Sequence, residues 1–174
     1  MKAIMISIQP KWVAKILNGE KTIEIRKTCP QVFKHLKPYE GCSIDVYIYL
    51  TKNGGELFDG QATCPYLSGK VVAKFTLNKC REWHNYSWQE ITKYGCISDN
   101  ELREYSKGHK SLYIWHIDNL VIFDKPKELS EFVCACPTEK CCKCKYAKFM
   151  CGQIACNKPK LTKAPQSWCY VEVE

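Results

Sequence analysis

The chain has 174 residues, 45% of them hydrophobic, and a formal net charge of +8. This length fits one well-buried domain, and the composition excludes an intrinsically disordered chain. The apolar run at the N-terminus is too short for a signal peptide, and no stretch approaches the roughly 18 apolar residues that cross a bilayer. The sequence therefore predicts a cytoplasmic globular protein that has no membrane partner.

The N-terminal segment is predicted to form a strand and then a helix. Residues 3–8 are a short apolar strand, and Pro10 suits the first turn of a helix. The pair Asn18-Gly19 ends this helix, because glycine adopts the left-handed conformation at low cost. The apolar side chains of the helix recur at helical spacing: Trp12, Val13, Ile16 and Leu17.

Residues 21–26 alternate as a strand. The alternation puts Ile23 and Ile25 on one face, and the polar side chains on the other face are Thr22, Glu24 and Arg26. Residues 43–50 form the strongest predicted strand, followed by a long loop over 52–69 and another strand over 70–77. Two short helices follow, each with a capping box of a serine and a glutamate three residues on: Ser87 with Glu90, and Ser98 with Glu101.

The C-terminal half is predicted to return to strands. Residues 111–117, 120–123 and 168–173 alternate, and residues 126–132 suit one or two helical turns. Six or seven short strands with a few helices predict an α+β fold, a small mixed or antiparallel β-barrel with helices packed on it. One domain is expected over 1–174, with residues 134–163 inserted between two strands.

The helix that begins at Pro10 is followed by the pattern Gly-x-Lys-x-x-Glu-x-Arg, at residues 19–26. This arrangement resembles the signature of the ASCH family, and residues 69–75, 113–117 and 165–171 agree with it further. The chain looks like the small stand-alone ASCH proteins of bacteria and their phages. The resemblance implies a PUA-like barrel, related to the PUA, YTH and EVE modules that bind RNA or modified bases.

The resemblance also implies a ligand cleft beside the first helix. Its predicted residues are Lys11, Lys21, Thr22, Glu24 and Arg26, and His116 is also included among the predicted ligand-binding residues. A guanidinium fork suits a phosphate or a base edge, a lysine supplies a mobile charge, and a carboxylate accepts from an exocyclic amine. The aromatic side chains that are candidates for stacking on a base are Trp12, Tyr113 and Trp115.

A structural interpretation stands beside the functional one. Glu24 and Arg26 also suit an ion pair at a sheet edge, and the helical spacing of Trp12 alone favours a place in the core. The resemblance favours a ligand role for Lys21, Glu24 and Arg26.

Catalysis is a further alternative. One branch of the ASCH family releases acetate from acetylated cytidine, with a lysine that activates a threonine three residues later. Here that position is Glu24, so this activity is not carried over, and the catalytic residues stay unknown. A ribonuclease activity has also been attributed to an ASCH protein. A metal-free hydrolase of RNA or a modified nucleoside would use Lys21 and Glu24, with His116 as general acid and base.

Cysteine is strongly enriched near the C-terminus. Seven of the thirteen cysteines lie within 23 residues, and an odd count without a secretory signal argues against a disulfide framework. The Cys-x2-Cys pair and two later thiolates suit one tetrahedral ion, which predicts a structural zinc on Cys141, Cys144, Cys151 and Cys156. Cys136 and Cys142 are substitutes for these ligands, and reduced thiols or disulfides formed after purification are the alternative.

Positive charge is concentrated in two segments, residues 1–38 and 138–163, each with a net charge of +6. Together they suit a phosphate-facing surface, and separately they suit solvated faces that keep the chain soluble. The zinc insert is interpreted as a staple, as a nucleic-acid clamp, or as a module that docks a protein partner. The sequence thus predicts a binder of RNA or a nucleotide-like ligand rather than an enzyme.

Overall fold

The computed structural model describes residues 1–34, 41–52, 67–135, 147–150, 153–156 and 158–173. The elements in chain order are β1 (Lys2–Ile8), α1 (Pro10–Leu17), β2 (Ile23–Arg26), α2 (Gln31–Lys34), β3 (Ile44–Leu50), β4 (Val71–Leu77), β5 (Cys80–Glu82), α3 (Trp88–Gly95), α4 (Asp99–Ser106), β6 (Tyr113–His116), β7 (Asp118–Lys127), β8 (Val133–Cys134), β9 (Ala147–Met150), β10 (Gln153–Cys156) and β11 (Trp168–Glu172). Two short 3-10 turns, Trp83–Asn85 and Leu129–Glu131, connect neighbouring elements.

The described strands form three sheets. The largest is six-stranded in the order β7-β4-β3-β1-β11-β8, with β1 parallel to β3 and its other pairs antiparallel. A three-stranded antiparallel sheet has the order β2-β6-β5, and β9 pairs with β10. The α+β fold is confirmed, whereas the hydrogen-bonded pairing of the described strands stays open and does not close a barrel.

The main core lies between the six-stranded sheet and the three-stranded sheet. Alternate residues of β1, β3 and β4 face it, and α1 adds Val13 and Ile16. From the smaller sheet, the fully buried Trp115 joins the same cluster. Because two sheets share this core, side chains at the ends of their strands meet beside α1.

Helices α3 and α4 cover the other face of the three-stranded sheet. Ile91 and Leu102 pack there against Ile23, Ile25 and Ile114. Both predicted capping boxes are formed, with the serine side chain accepting from the N3 amide and the N3 glutamate accepting from the N-cap amide. These caps satisfy amides that the first helical turn leaves unpaired, and they fix where α3 and α4 begin.

The far face of the six-stranded sheet is covered by the chain around residues 129–135 and 158–164. Phe132 and Leu161 are buried there with Met5 and Tyr47. The amide of Leu161 donates to the carbonyl of Phe132 at 2.8 Å, and the amide of Cys134 donates to that of Pro159 at 2.9 Å. The segment before residue 136 and the segment after residue 157 therefore lie side by side.

Several predicted boundaries differ from the structure, and two of these differences change the interpretation. Strand β2 begins at Ile23 rather than at Lys21, and β7 runs on to Lys127, so the helical turn predicted over 126–132 is confined to Leu129–Glu131. Pro126 is tolerated in β7 because this strand lies at the edge of the sheet, where a missing amide donor breaks no ladder. In the described part of the chain, no helix is long and apolar enough to span a membrane.

Candidate functional site

A cavity of about 410 Å³ opens beside α1. Helix α1, strand β2 and helix α4 contribute to its wall, together with the end of β1 and single residues next to β3 and β11. The charged and aromatic side chains that line it are Lys11, Trp12, Lys21, Glu24, Arg26, Glu101 and Tyr105. We call this cavity the cleft.

Three buried charged residues lie along one wall of the cleft. Lys21, Glu24 and Arg26 are each exposed by less than 10%. The Nζ of Lys21 lies 3.4 Å from Oε2 of Glu24, and the Nε of Arg26 lies 3.1 Å from Oε1 of the same carboxylate. Burial of an unpaired charge costs much free energy. The carboxylate of Glu24 therefore stabilises the buried charges of Lys21 and Arg26, and these two cations stabilise the carboxylate.

Lys21 reaches Glu24 because it precedes β2. Its amide donates to the carbonyl of Lys15 at 3.0 Å, so the backbone there follows α1 and not the strand. Its Nζ donates at 2.7 Å to the carbonyl of Gly95, the last residue of α3. The prediction that the strand, with its alternating faces, begins at Lys21 is therefore wrong. The side chain of Lys21 lies on the same side as that of Glu24, and not on the opposite side.

Arg26 joins the two larger sheets. One terminal nitrogen of its guanidinium donates to the carbonyl of Ser7 on β1 at 2.8 Å, and the other lies 3.4 Å from the hydroxyl of Ser167. Its Nε is close to Glu24 but is not aligned for a hydrogen bond. Most of the fork is thus used within the protein, as expected for a structural role.

Glu24 keeps one unused acceptor. Its Oε2 is buried and accepts no aligned hydrogen bond from the described residues, although Lys21 Nζ lies nearby. Buried carboxylate oxygens are normally hydrogen-bonded, so the charge of Glu24 is held here by the two neighbouring cations rather than by an aligned donor at Oε2.

The rim of the cleft holds one aromatic ring between two cations. The Nζ atoms of Lys11 and Lys21 lie 4.3 and 5.2 Å from the ring centroid of Trp12. Trp12 is half-buried, and it packs against the main core while it also lines the cleft. Trp12 therefore fits both interpretations of the sequence, as a residue of the core and as a residue of the ligand cleft.

Helix α4 supplies cleft residues that the sequence analysis missed. Glu101 accepts from Lys11 at 2.7 Å, and this contact, with the hydrogen bonds from Ser98, lowers the pKa of Glu101 to about 2. Burial raises the pKa of Tyr105, while the nearby Arg26 opposes this shift, so the phenol stays protonated at neutral pH. The capping box at Ser98 fixed the start of α4, but no local pattern indicated that this helix faces α1.

Some predicted ligand residues lie elsewhere. Thr22 is exposed and does not line the cleft, because β2 begins after it. The Nε2 of His116 lies 2.7 Å from the hydroxyl of Tyr86, also outside the cleft lining. Trp115 is fully buried in the core, so the prediction that it stacks on a base is wrong. The hydroxyl of Tyr113 donates to Glu82.

The predicted zinc ligands fall largely beyond the described residues. Cys141, Cys144 and Cys151 lie outside them, as do the substitutes Cys136 and Cys142. Cys156 is the last residue of β10, and only its backbone is described. Within the described ranges, no group of three side chains suited to a metal ion is found.

The structure is similar to crystal structures of the ASCH protein from Zymomonas mobilis. That protein gives a TM-score of 0.51 at 21% sequence identity, over 73% of this chain and 73% of that chain. Two of its mutants give TM-scores of 0.52 and 0.50 at 21% and 20% identity, over 74% and 73% of this chain and 77% and 74% of theirs. No family model matches the sequence, and no curated protein does. The chain therefore shares the fold of this ASCH protein, in agreement with the resemblance at residues 19–26.

Proposed function

We propose that this protein binds RNA or a nucleotide-like ligand, and that the cleft holds the base. The observation that carries the proposal is the lining of the cleft, where the buried charges of Lys21, Glu24 and Arg26 lie beside the ring of Trp12. Cytosine and adenine carry exocyclic amines that donate to a carboxylate such as that of Glu24. The resemblance of residues 19–26 to the ASCH signature and the shared fold support the same ligand class.

The remaining walls suit the rest of a nucleotide. The ring of Trp12 offers a face on which a base stacks, and stacking tolerates every base because each has a π-face. Tyr105 supplies a protonated hydroxyl, and Lys11 supplies a positive charge at the exposed rim. With three cations and two carboxylates in its lining, the cleft carries one net positive charge, which suits a phosphate-bearing ligand.

A binding titration tests this proposal. Fluorescence anisotropy of labelled single-stranded and structured RNAs would be measured at low and moderate salt, with the four nucleoside monophosphates as competitors. We expect binding that weakens as salt rises, and Glu24→Gln and Trp12→Leu each lower the affinity about tenfold, or 1.4 kcal/mol. Trp83→Leu is the matched control, since Trp83 is exposed and does not line the cleft.

The outcomes separate a binder from its rivals. Thermal unfolding followed by circular dichroism would show that each variant is folded before its affinity is compared. Wild type that binds neither RNA nor nucleotides would overturn the proposal. RNA that is shortened during the incubation, and stays intact with Glu24→Gln, would instead assign a hydrolase that works through Lys21 and Glu24.

The cysteine-rich segment is proposed to hold a structural zinc. Its support is the Cys-x2-Cys pair, with Cys151 and Cys156 following at distances that suit a closed tetrahedral site. The described backbone around Cys134 and Pro159 brings the chain together on either side of the segment, which suits a stapled insert. Four thiolates leave no open coordination position, so this metal has no catalytic role in the proposal.

A further inference from the structure

A second cavity of about 660 Å³ has Ser7 in its lining, as the cleft does, but not Trp12. It lies between the end of β3, the 3-10 turn Leu129–Glu131 and residues 161–166. We call it the groove. Each of the two cavities falls within the size range of pockets that hold one small ligand, about 300–1,000 Å³.

The groove and the cleft share part of their lining. Three residues line both of them: Ser7, Thr51 and Gln166. The junction is held firmly, because the hydroxyl of Ser7 donates to the carbonyl of Pro165 at 2.6 Å and its amide donates to that of Ser167 at 2.9 Å. The amide of Thr51 donates to the carbonyl of Ile8 at 3.0 Å. A strand whose base lies in the cleft and that passes over these shared residues would therefore enter the groove.

The chemistry of the groove suits a sugar–phosphate backbone. Lys52 and Lys163 are exposed, and in the described part of the chain neither has a carboxylate within ion-pair distance. The carboxylate Glu128 is neutralised by Lys70. Exposed hydroxyls at Ser130 and Thr162 add donors of the kind that contact phosphate and ribose oxygens.

We propose that the groove binds the sugar–phosphate backbone of a single-stranded RNA whose base occupies the cleft. Lys52 and Lys163 neutralise two phosphates of this strand, while the cleft contacts the base. This proposal rests on the proposed function, and it adds the polymer, the direction in which it leaves the cleft and the residues that hold it.

The test compares a polymer with a monomer on the same variants. Labelled random-sequence RNAs of about ten nucleotides, within the size range of single-strand sites, would be titrated by anisotropy. Binding of the four nucleoside monophosphates would be followed by tryptophan fluorescence. The double variant Lys52→Gln/Lys163→Gln is matched with Lys110→Gln, since Lys110 is exposed, lines neither cavity and has no described ion-pair partner.

We expect the double variant to bind the RNA about tenfold more weakly and the monophosphates as tightly as wild type. The slope of log affinity against log salt should become shallower by about 1.4, because each phosphate neutralised on a single strand contributes about 0.7. Lys110→Gln should change neither affinity.

Three results would overturn the proposal. If the double variant binds the RNA as tightly as wild type, the groove does not contact the RNA and the cleft alone is the binding site. An equal loss for RNA and monophosphates would show that the two lysines act through the cleft. Polyglutamate that binds the wild type more tightly than the RNA does, and the double variant about tenfold more weakly, would assign the groove to an acidic protein. Wild type that binds neither probe would instead show that the proposed function itself has failed.

Discussion

The Nζ of Lys11 lies 2.7 Å from Oε1 of Glu101, and this ion pair joins α1 to α4 across the rim of the cleft. The two residues are 90 positions apart in the chain, and both are largely exposed. The contact holds together two helices that belong to different cores, one between the sheets and one under the smaller sheet.

The pKa of Glu101 reports directly on this contact. It is lowered to about 2 by Lys11 and by the hydrogen bonds from Ser98. We expect Lys11→Gln to raise the pKa, and the Ser98 hydrogen bonds to keep it below the ordinary value near 4.3. An NMR titration of the carboxyl carbon measures both values, and an unchanged pKa in the variant would contradict the described geometry.

The same pair makes a small contribution to stability with a defined pH dependence. Because the folded pKa is depressed, the contribution is present above the unfolded value near 4.3 and is lost as pH falls toward about 2. Exposed pairs contribute about 0–1 kcal/mol, so Lys11→Gln should lower the free energy of unfolding at pH 7 by no more than this. Urea unfolding at pH 7 and pH 3 measures the difference.

Removal of the Glu24 carboxylate should destabilise the fold. Glu24→Ala leaves Lys21 and Arg26 buried without their shared counter-charge, which costs about 3–5 kcal/mol when one partner of a buried pair is deleted. Glu24→Gln keeps an acceptor and the shape of the side chain, so its cost should be smaller. Urea unfolding that ranks Glu24→Gln below Glu24→Ala in stability would contradict the role of this carboxylate.

His116 should titrate below its ordinary pKa. Burial lowers the pKa of its imidazole, and the positive charge of Lys79 acts in the same direction. Since the folded state favours the neutral ring, the stability it contributes is present above about pH 6.5 and falls as pH drops through the folded pKa. NMR of the ring protons tests this, and a value above 6.5 would be inconsistent with the buried contact to Tyr86.

Zinc removal should loosen the C-terminal segment and leave the cleft in place. Elemental analysis is expected to give one zinc per chain, and a strong chelator should lower the melting temperature. Cys144→Ser should lose the metal, whereas Cys42→Ser, outside the cluster, should keep it. Protein purified under reducing conditions without any zinc would contradict the proposal.

Local patterns were sufficient for most elements of the fold. The alternation of β1, β3 and β4 and the helical spacing of α1 follow directly from which side chains are apolar. The capping boxes at Ser87 and Ser98 formed as predicted, because a cap depends on residues within one turn. The end of β7 was misjudged, since an edge position that tolerates Pro126 is set by the neighbouring strands.

The sequence alone predicted that Lys11, Lys21, Glu24 and Arg26 would lie together, through the ASCH resemblance of the segment around them. It did not indicate the sides on which they face, because Lys21 follows the end of α1 rather than the pleat of β2. Only the tertiary structure decided that α4 closes the rim, that Trp115 is buried and that Arg26 is used to join two sheets. These facts depend on contacts between residues far apart in the chain, whereas strand periodicity and helix caps are local.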